Sequence, residues 1–422
     1  MKKILVILLL LPLLFIKEAS GKWLTQKKLY SKALQQEKTW FIGLPDGYNP
    51  SDKTRKYPVI IFLHGASVTA SEIANSFDPF FDNLVTRLLF PNLFKVIFVI
   101  PDGSSPPYKG SFYTNSALYG KYEDYIAGDL TEEVANNYNT YSSREKWCIM
   151  GHSMGGYGAM KIALKHAGKF MGVSALSGPL NITYYNDLLP MLLTEHGTAP
   201  PYTIDYSGDV TMLFYSMSGA FSPAPGETPP VRLPVDASGN VVGAVRELWD
   251  KQNPINLIRG WQGKPAMAIH LYCGGKDEYK LAQHNRMFSD TLKKYNLPHT
   301  YSEDPLGDHV TSLFTSLPQG VNFLYHVMDT AKIRNTTLVQ NAEMTEAWSV
   351  FPNPASDRFY VSGQGDGPLQ VAVYNLSGQK VLQIENSHPY AGININPLSG
   401  GTYLILLKTV EGNQFSEKLI KK

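Results

Sequence analysis

The chain has 422 residues, more than one ordinary domain of roughly 100–200 residues, and reads as two or three folded units. Hydrophobic residues at 43% exclude disorder by composition, and 38 Lys plus Arg against 36 Asp plus Glu leave no electrostatic reason to expect nucleic acid or an anionic membrane as partner. Two cysteines, Cys148 and Cys273, exclude a disulfide framework and a zinc site of the usual spacing, so no metal is expected.

Lys2 and Lys3, the apolar run Ile4–Ile16 and the small residues Ala19-Ser20-Gly21 predict a secretory signal over residues 1–21, cut after Gly21. The competing membrane anchor falls short, because a bilayer span needs about 20 apolar residues. From Trp40 onward, short Val- and Ile-rich runs alternate with helix-compatible stretches. Tyr57–Leu63, Lys95–Ile100, Lys146–Met150, Gly172–Leu176 and Ala266–Leu271 are hydrophobic on both faces, the pattern of a parallel sheet covered by helices. Residues 22–334 are therefore predicted as an α/β unit with helices on both faces of its sheet. Between Asn181 and Lys264 the alternation breaks into a Pro- and Gly-rich stretch, expected as a partly structured insertion (181–264) beside the sheet. Residues 335–348 are polar without periodicity and read as a linker. Beyond them Arg358–Val361, Leu369–Tyr374, Lys380–Ile384, Thr402–Leu407 and Phe415–Ile420 recur between turn residues, which predicts a small all-β sandwich over 349–422.

The strongest chemical signal is Gly151-His152-Ser153-Met154-Gly155, an instance of G-x-S-x-G placed between a strand-like run and the helix-compatible stretch Tyr157–Lys165. A serine on so tight a turn has strained dihedrals, and residues larger than glycine at 151 and 155 would strike the crossing strand and helix. Ser153 is the expected nucleophile. It needs a base, an orienting acid and oxyanion donors. His64-Gly65-Ala66 leaves the run Tyr57–Leu63 directly, so the Ala66 amide is expected to join that of Met154 in the hole; the alternative is that His64-Gly65 only turns the chain. Ala266–Leu271 runs into Tyr272-Cys273-Gly274-Gly275-Lys276-Asp277-Glu278, a loop at the carboxyl end of a strand, where open parallel sheets form their sites. Asp277 is the preferred acid and Glu278 its rival. His309, in Gly307-Asp308-His309 after the candidate last strand Thr300–Ser302, is the expected base, while His326 lies in a helical pattern and His152 is too close to Ser153 to turn back on it. Cys148 and Cys273 should sit on strands two apart, roughly 9–10 Å, and remain two buried free thiols.

Taken together, LHGA, PDG, SFYTNS, GHSMGGYGAM, SALSGPL, GGKDE and GDH, in this order from Trp40 to Asp329, resemble the putative-esterase family of α/β-hydrolases, which includes feruloyl and acetylxylan esterases, S-formylglutathione hydrolase and mycolyltransferases. The resemblance places that family's nucleophile, acid, base and hole amides at Ser153, Asp277, His309, Met154 and Ala66. One departure is Val310-Thr311-Ser312-Leu313, which lacks the tryptophan often found after the base in the sugar-directed members. Phe351-Pro352-Asn353-Pro354-Ala355, Val373-Tyr374-Asn375-Leu376-Ser377-Gly378, Gly400-Gly401-Thr402-Tyr403 and the basic finish Lys418–Lys422 resemble the C-terminal sorting domain of type IX secretion, an address rather than a catalyst. A carbohydrate-binding sandwich is the competing reading of this end. The resemblances imply a secreted serine esterase without cofactor, carried across both membranes of a Gram-negative bacterium by its secretion machinery. Acetyl or feruloyl esters on polysaccharides are the expected substrates. Tyr108, Phe112, Tyr113, Tyr184, Tyr185 and Tyr202 are candidate substrate contacts that could equally be core. A serine peptidase with the same triad, and an inactive surface-binding protein, stay open as other readings.

Overall fold

Val59–Leu63 shows why the central strands form: all five residues are buried, Val59, Ile61 and Leu63 in one apolar layer and Ile60 and Phe62 in the other, which is the two-residue period of a strand. The computed structural model describes residues 22–330 and 349–422, apart from 82–85, 88–89, 185–187, 197–208, 237, 262–263, 363–368, 376–378, 388–391 and 410–413. The expected signal (1–21) and linker (335–348) lie outside the described residues.

Eight strands form one sheet: β1 Leu24–Ser31, β2 Gln36–Gly43, β3 Val59–Leu63, β4 Ile97–Pro101, β5 Trp147–His152, β6 Gly172–Leu176, β7 Ala268–Gly274 and β8 His299–Asp304. Their spatial order is β1-β2-β4-β3-β5-β6-β7-β8. All pairings from β4 to β8 are parallel, as the both-face hydrophobic runs require. The strand expected from Tyr57, β3, begins at Val59, because Pro58 has no N–H to give the ladder and Tyr57 makes only an isolated bridge to Thr140. The antiparallel pair β1–β2 is an addition to the expected sheet. β1 alternates buried Leu24, Leu29 and Ser31 with exposed Thr25, Gln26, Lys28 and Tyr30, so it lacks the continuous apolar signature of the inner strands.

Six helices bear on the site: α1 Ala70–Phe81, α2 Met154–Lys165, α3 Leu188–His196, α4 Asp209–Phe221, α5 Leu281–Lys294 and α6 Ser312–Thr330. Phe77 and Phe81 of α1 and Leu317, Val321 and Leu324 of α6 pack on the Ile60 and Phe62 face. Tyr157 and Met160 of α2 and Phe288 and Leu292 of α5 pack on the Val59 and Ile61 face. The insertion carries α3, α4 and two shorter helices, Gly243–Asp250 and Pro254–Arg259. Cys148 on β5 and Cys273 on β7, separated by β6, are buried and free.

At the C-terminal end the sheets β9-β10-β13 and β12-β11-β14-β15 are built from β9 Ser349–Phe351, β10 Arg358–Ser362, β11 Leu369–Asn375, β12 Lys380–Ser387, β13 Ile393–Asn394, β14 Gly401–Lys408 and β15 Gln414–Lys421. Every pairing is antiparallel. Phe359 and Val361 of one sheet share a core with Val371, Val373, Ile405 and Leu407 of the other, which is the predicted sandwich.

Candidate active site

β5 hands the chain to α2 through Ser153, whose φ of 58° and ψ of −121° lie far from any region that a serine adopts without cost. The turn is forced by close backbone crossings. A β-carbon on Gly151 would lie 2.4 Å from the Gly155 carbonyl, and one on Gly155 would lie 1.9 Å from the Leu63 oxygen. Neither obstacle is a side chain that could swing aside, so glycine is required at both positions, as the sequence argument anticipates.

The β3–β5 register sets Leu63 beside Gly151, and the loop that leaves β3 lies against the serine: a β-carbon on Gly65 would stand 3.4 Å from Ser153 Cβ. The Ser153 amide is occupied, donating to the Leu176 carbonyl at 2.9 Å. Among the described residues no group accepts from the amide of Ala66 or of Met154, which is the first residue of a twelve-residue helix. The donors line the same cavity as Ser153. His64 is buried and ties its loop down on both sides. Its Nδ1–H donates to the Gly65 carbonyl and its Nε2 accepts from the Gly103 amide, each at 2.8 Å.

On the other side, the β7–β8 register aligns Gly274 with Asp304, so the loops leaving the two strands meet. His309 Nδ1 donates to Asp277 Oδ2 at 2.7 Å. The carboxylate can only accept, so that ring nitrogen carries the proton and Nε2 is left to accept from the Ser153 hydroxyl at 2.9 Å. Asp277 is buried, and its other oxygen accepts from the Tyr279 amide at 3.0 Å. The rival carboxylate has a different partner. Glu278 Oε2 accepts from the main-chain N–H of His309 at 3.0 Å, so the adjacent acids hold the ring and the backbone of one histidine. His152 lies 4.8 Å from the His309 ring and donates from Nε2 to the His309 carbonyl at 2.8 Å. Burial first, then the neighbouring His309, hold the His152 pKa down to about 3, so it stays neutral and does not compete as a base.

A cavity of about 340 Å³ opens on Ser153 and His309. Six of its wall residues, Ile182, Tyr184, Met191, Val210, Leu213 and Met217, come from the insertion. A second cleft of about 470 Å³, lined by Arg55, Arg87, Lys95 and Lys146, is larger but lies at the opposite, amino-terminal edge of the strands, with no serine or histidine in its wall. Ser153, His309, Ala66 and Met154 all line the smaller one.

Of the candidate aromatic contacts, Phe112 lines the catalytic cavity, wedged edge-on between Tyr157 and Phe221 at 5.9 and 5.6 Å. Tyr113 is a correction: it is fully buried, its hydroxyl donates to the His64 carbonyl at 3.0 Å, and its ring fills the space where Gly103 and Gly158 have no side chain. It braces the loop of Gly65 and Ala66 and has no surface left for a substrate. Tyr108 is corrected too, since its ring packs on Tyr119 at 5.1 Å outside the cavity wall. Tyr184 lines the cavity, whereas Tyr185 and Tyr202 lie outside the described residues. The sequence reading missed the anchoring of His309 by Glu278 and His152, and it missed His284, which also lines the cavity.

Residues 31–320 match the family model described as Putative esterase, and residues 349–422 match that described as Secretion system C-terminal sorting domain. Over 143 residues, 33% of this chain, the sequence is 33% identical to an esterase of Mycobacterium tuberculosis, of whose length the match covers 28%. A ferulic acid esterase and a fluorophosphonate-binding serine hydrolase of Staphylococcus aureus, each 18% identical, have the same fold at a TM-score of 0.50, over 72% of this chain and 98% of theirs.

Proposed function

The chain belongs to the Putative esterase family, and from that premise we propose that it is an exported serine esterase acting through an acyl-enzyme. The observation that carries the proposal is the unbroken relay from Asp277 through His309 to Ser153, with contacts of 2.7 and 2.9 Å, at the mouth of a cavity. His309 Nε2 takes the Ser153 proton as Oγ attacks the ester carbonyl, and Asp277 stabilises the imidazolium that results. The carbonyl oxygen becomes an oxyanion beside the amides of Ala66 and Met154. His309 then returns the proton to the departing alcohol, and water attacks the acyl-enzyme by the same route in reverse.

Export is supported by the sorting-domain match at 349–422, and it favours a polysaccharide-linked acetyl or feruloyl ester over an intracellular thioester as substrate. Cleavage of that domain on secretion is part of the proposal; an intact C-terminus through Lys422 in the exported protein, by mass spectrometry, would count against it. The catalytic reading is tested by hydrolysis of p-nitrophenyl esters and by fluorophosphonate labelling. The parent should turn over and carry the label at Ser153, and Ser153→Ala should lose at least about a thousandfold and the label with it. Equal rates for parent and variant would end the proposal.

A further inference from the structure

A strained segment runs beside the two expected oxyanion donors. A β-carbon on Gly110 would stand 2.3 Å from Met154 Sδ and 3.7 Å from Ala66 Cα, so its backbone lies against both residues. Before it, the Lys109 carbonyl accepts from the Ser67 amide at 2.6 Å; after it, the Phe112 amide donates to Met154 Sδ at 3.4 Å. Phe112 and Tyr113 follow at φ of 49° and 46°, left-handed conformations that residues other than glycine adopt at a cost. Such a turn persists only where its surroundings hold it.

The holding group is Lys161, in the middle of α2 and wholly buried. Its Nζ donates to the Tyr113 carbonyl at 3.0 Å and to Thr114 Oγ1 at 2.7 Å, and it pairs with Glu123 Oε2 at 3.2 Å. Three acceptors match the three N–H groups of an ammonium. Burial, ahead of the opposing pull of Glu123, lowers its pKa to about 8, so it is largely charged at neutral pH. A buried ion pair adds little stability that apolar groups of the same volume would not supply. Its consequence lies in what it joins. Tyr113 is fixed at one end to Lys161, on the helix that begins with Met154. At the other end its hydroxyl donates to the His64 carbonyl at 3.0 Å, on the loop that carries Ala66.

We propose that Lys161 is a positioning residue for the oxyanion hole, setting the spacing of the Ala66 and Met154 amides through the strut of Tyr113. The inference rests on the esterase reading with its hole at those two amides. Lys161 is absent from the described lining of the cavity, so it acts on the transition state through the hole and leaves the binding of the ester unchanged.

The test uses the full chain, p-nitrophenyl butyrate as substrate and butylboronic acid as inhibitor, whose tetrahedral adduct with Ser153 places an oxygen in the hole. Fluorophosphonate labelling of Ser153 in the parent comes first; if it fails, the hydrolase reading falls and the inference with it. If it succeeds, Lys161→Met should lower kcat about ten- to a hundredfold while KM changes by less than about threefold, because acylation and deacylation use the same hole. The affinity for the boronic acid should fall with kcat. Lys161→Gln, which keeps an N–H donor, should retain part of both. Lys165→Met is the control: Lys165 pairs with the same Glu123 at 2.9 Å from one turn further along α2 but has no bond to Tyr113 or Thr114, so its rates and boronic acid affinity should stay within about twofold of the parent. A Lys161→Met enzyme with parental kcat overturns the inference. So does one whose boronic acid affinity is unchanged, or one matched in its losses by Lys165→Met, since either result leaves Lys161 a role in packing alone. Should Lys161→Met fail to fold, Tyr113→Phe, which cuts the far end of the strut, decides by the same two readouts: a joint fall in kcat and boronic acid affinity supports the inference, and parental values overturn it.

Discussion

Adjacent carboxylates at 277 and 278 contact the same histidine, and exchanging them one at a time separates their roles. Asp277→Asn keeps the size of the side chain but lets an amide N–H face His309 Nδ1, 2.7 Å away. The imidazole then carries its proton on Nε2, which faces Ser153 and can no longer accept from it. In serine triads the corresponding change costs about ten-thousandfold in kcat, or about 5 kcal/mol at 1.36 kcal/mol per tenfold. Glu278→Gln retains a carbonyl oxygen for the His309 amide at 3.0 Å and loses only the charge, so about tenfold or less is expected. Glu278→Ala removes the acceptor and with it a hydrogen bond worth about 1.5–3 kcal/mol, so about ten- to a hundredfold is expected. Initial rates with p-nitrophenyl butyrate, alongside thermal melts that identify any misfolded variant, give the comparison. If Asp277→Asn kept more than a tenth of the parent rate while Glu278→Gln lost a thousandfold, the assignment of the orienting acid would be refuted.

Gly155→Ala should destabilise by about 3 kcal/mol or more in denaturant titration, since its methyl would overlap the Leu63 carbonyl, whereas Gly168→Ala, with nothing within 4 Å, should change stability by less than about 0.5 kcal/mol. Burial holds the pKa values of His152, His270 and His284 at about 3, 4 and 4, below the unfolded value near 6.5, so the unfolded chain binds more protons in that window. Their contribution to stability is complete above that value and is lost as pH falls toward 4; at pH 5.5 each should have given up on the order of 1 kcal/mol, and His270→Gln should flatten the measured slope. Burial raises the thiol of Cys148 to about 12 and pushes that of Cys273 up as well, so neither should react with a disulfide reagent in the native protein and both should react in denaturant. A native protein with fewer than two titratable thiols after unfolding under non-reducing conditions would contradict the separation of β5 and β7.

What could be read in the sequence is what local pattern and chain order determine. The elbow at Ser153 was legible because strand, glycines and helix are contiguous, and Asp277 and His309 because parallel strands deliver their following loops to one edge. The β1–β2 hairpin was not, since Gln26, Lys27 and Lys28 give an edge strand no more apolar signature than a loop. Glu278 was visible as a rival acid, but its partner is a main-chain N–H thirty-one residues away, which no side-chain pattern encodes. The aromatic segment shows the same limit at close range. Phe112 and Tyr113 both have positive φ, 49° and 46°, and this irregular turn sends one ring to the cavity and its neighbour into the core. Likewise the insertion could be placed beside the sheet, yet the face that α4 presents to the cavity depended on how it folds.

α6 starts three residues after His309 and runs for nineteen residues, about 28 Å, down the length of the sheet. Its far end is pinned where Lys146, at the entrance to β5, donates to the Met328 carbonyl, and Met328 and Asp329 border the cleft at the rear edge of the strands. The helix therefore ends at the edge of the sheet opposite the one that carries Ser153 and His309. A single rod thus joins the loop that carries His309 to the entrance of the strand that delivers Ser153.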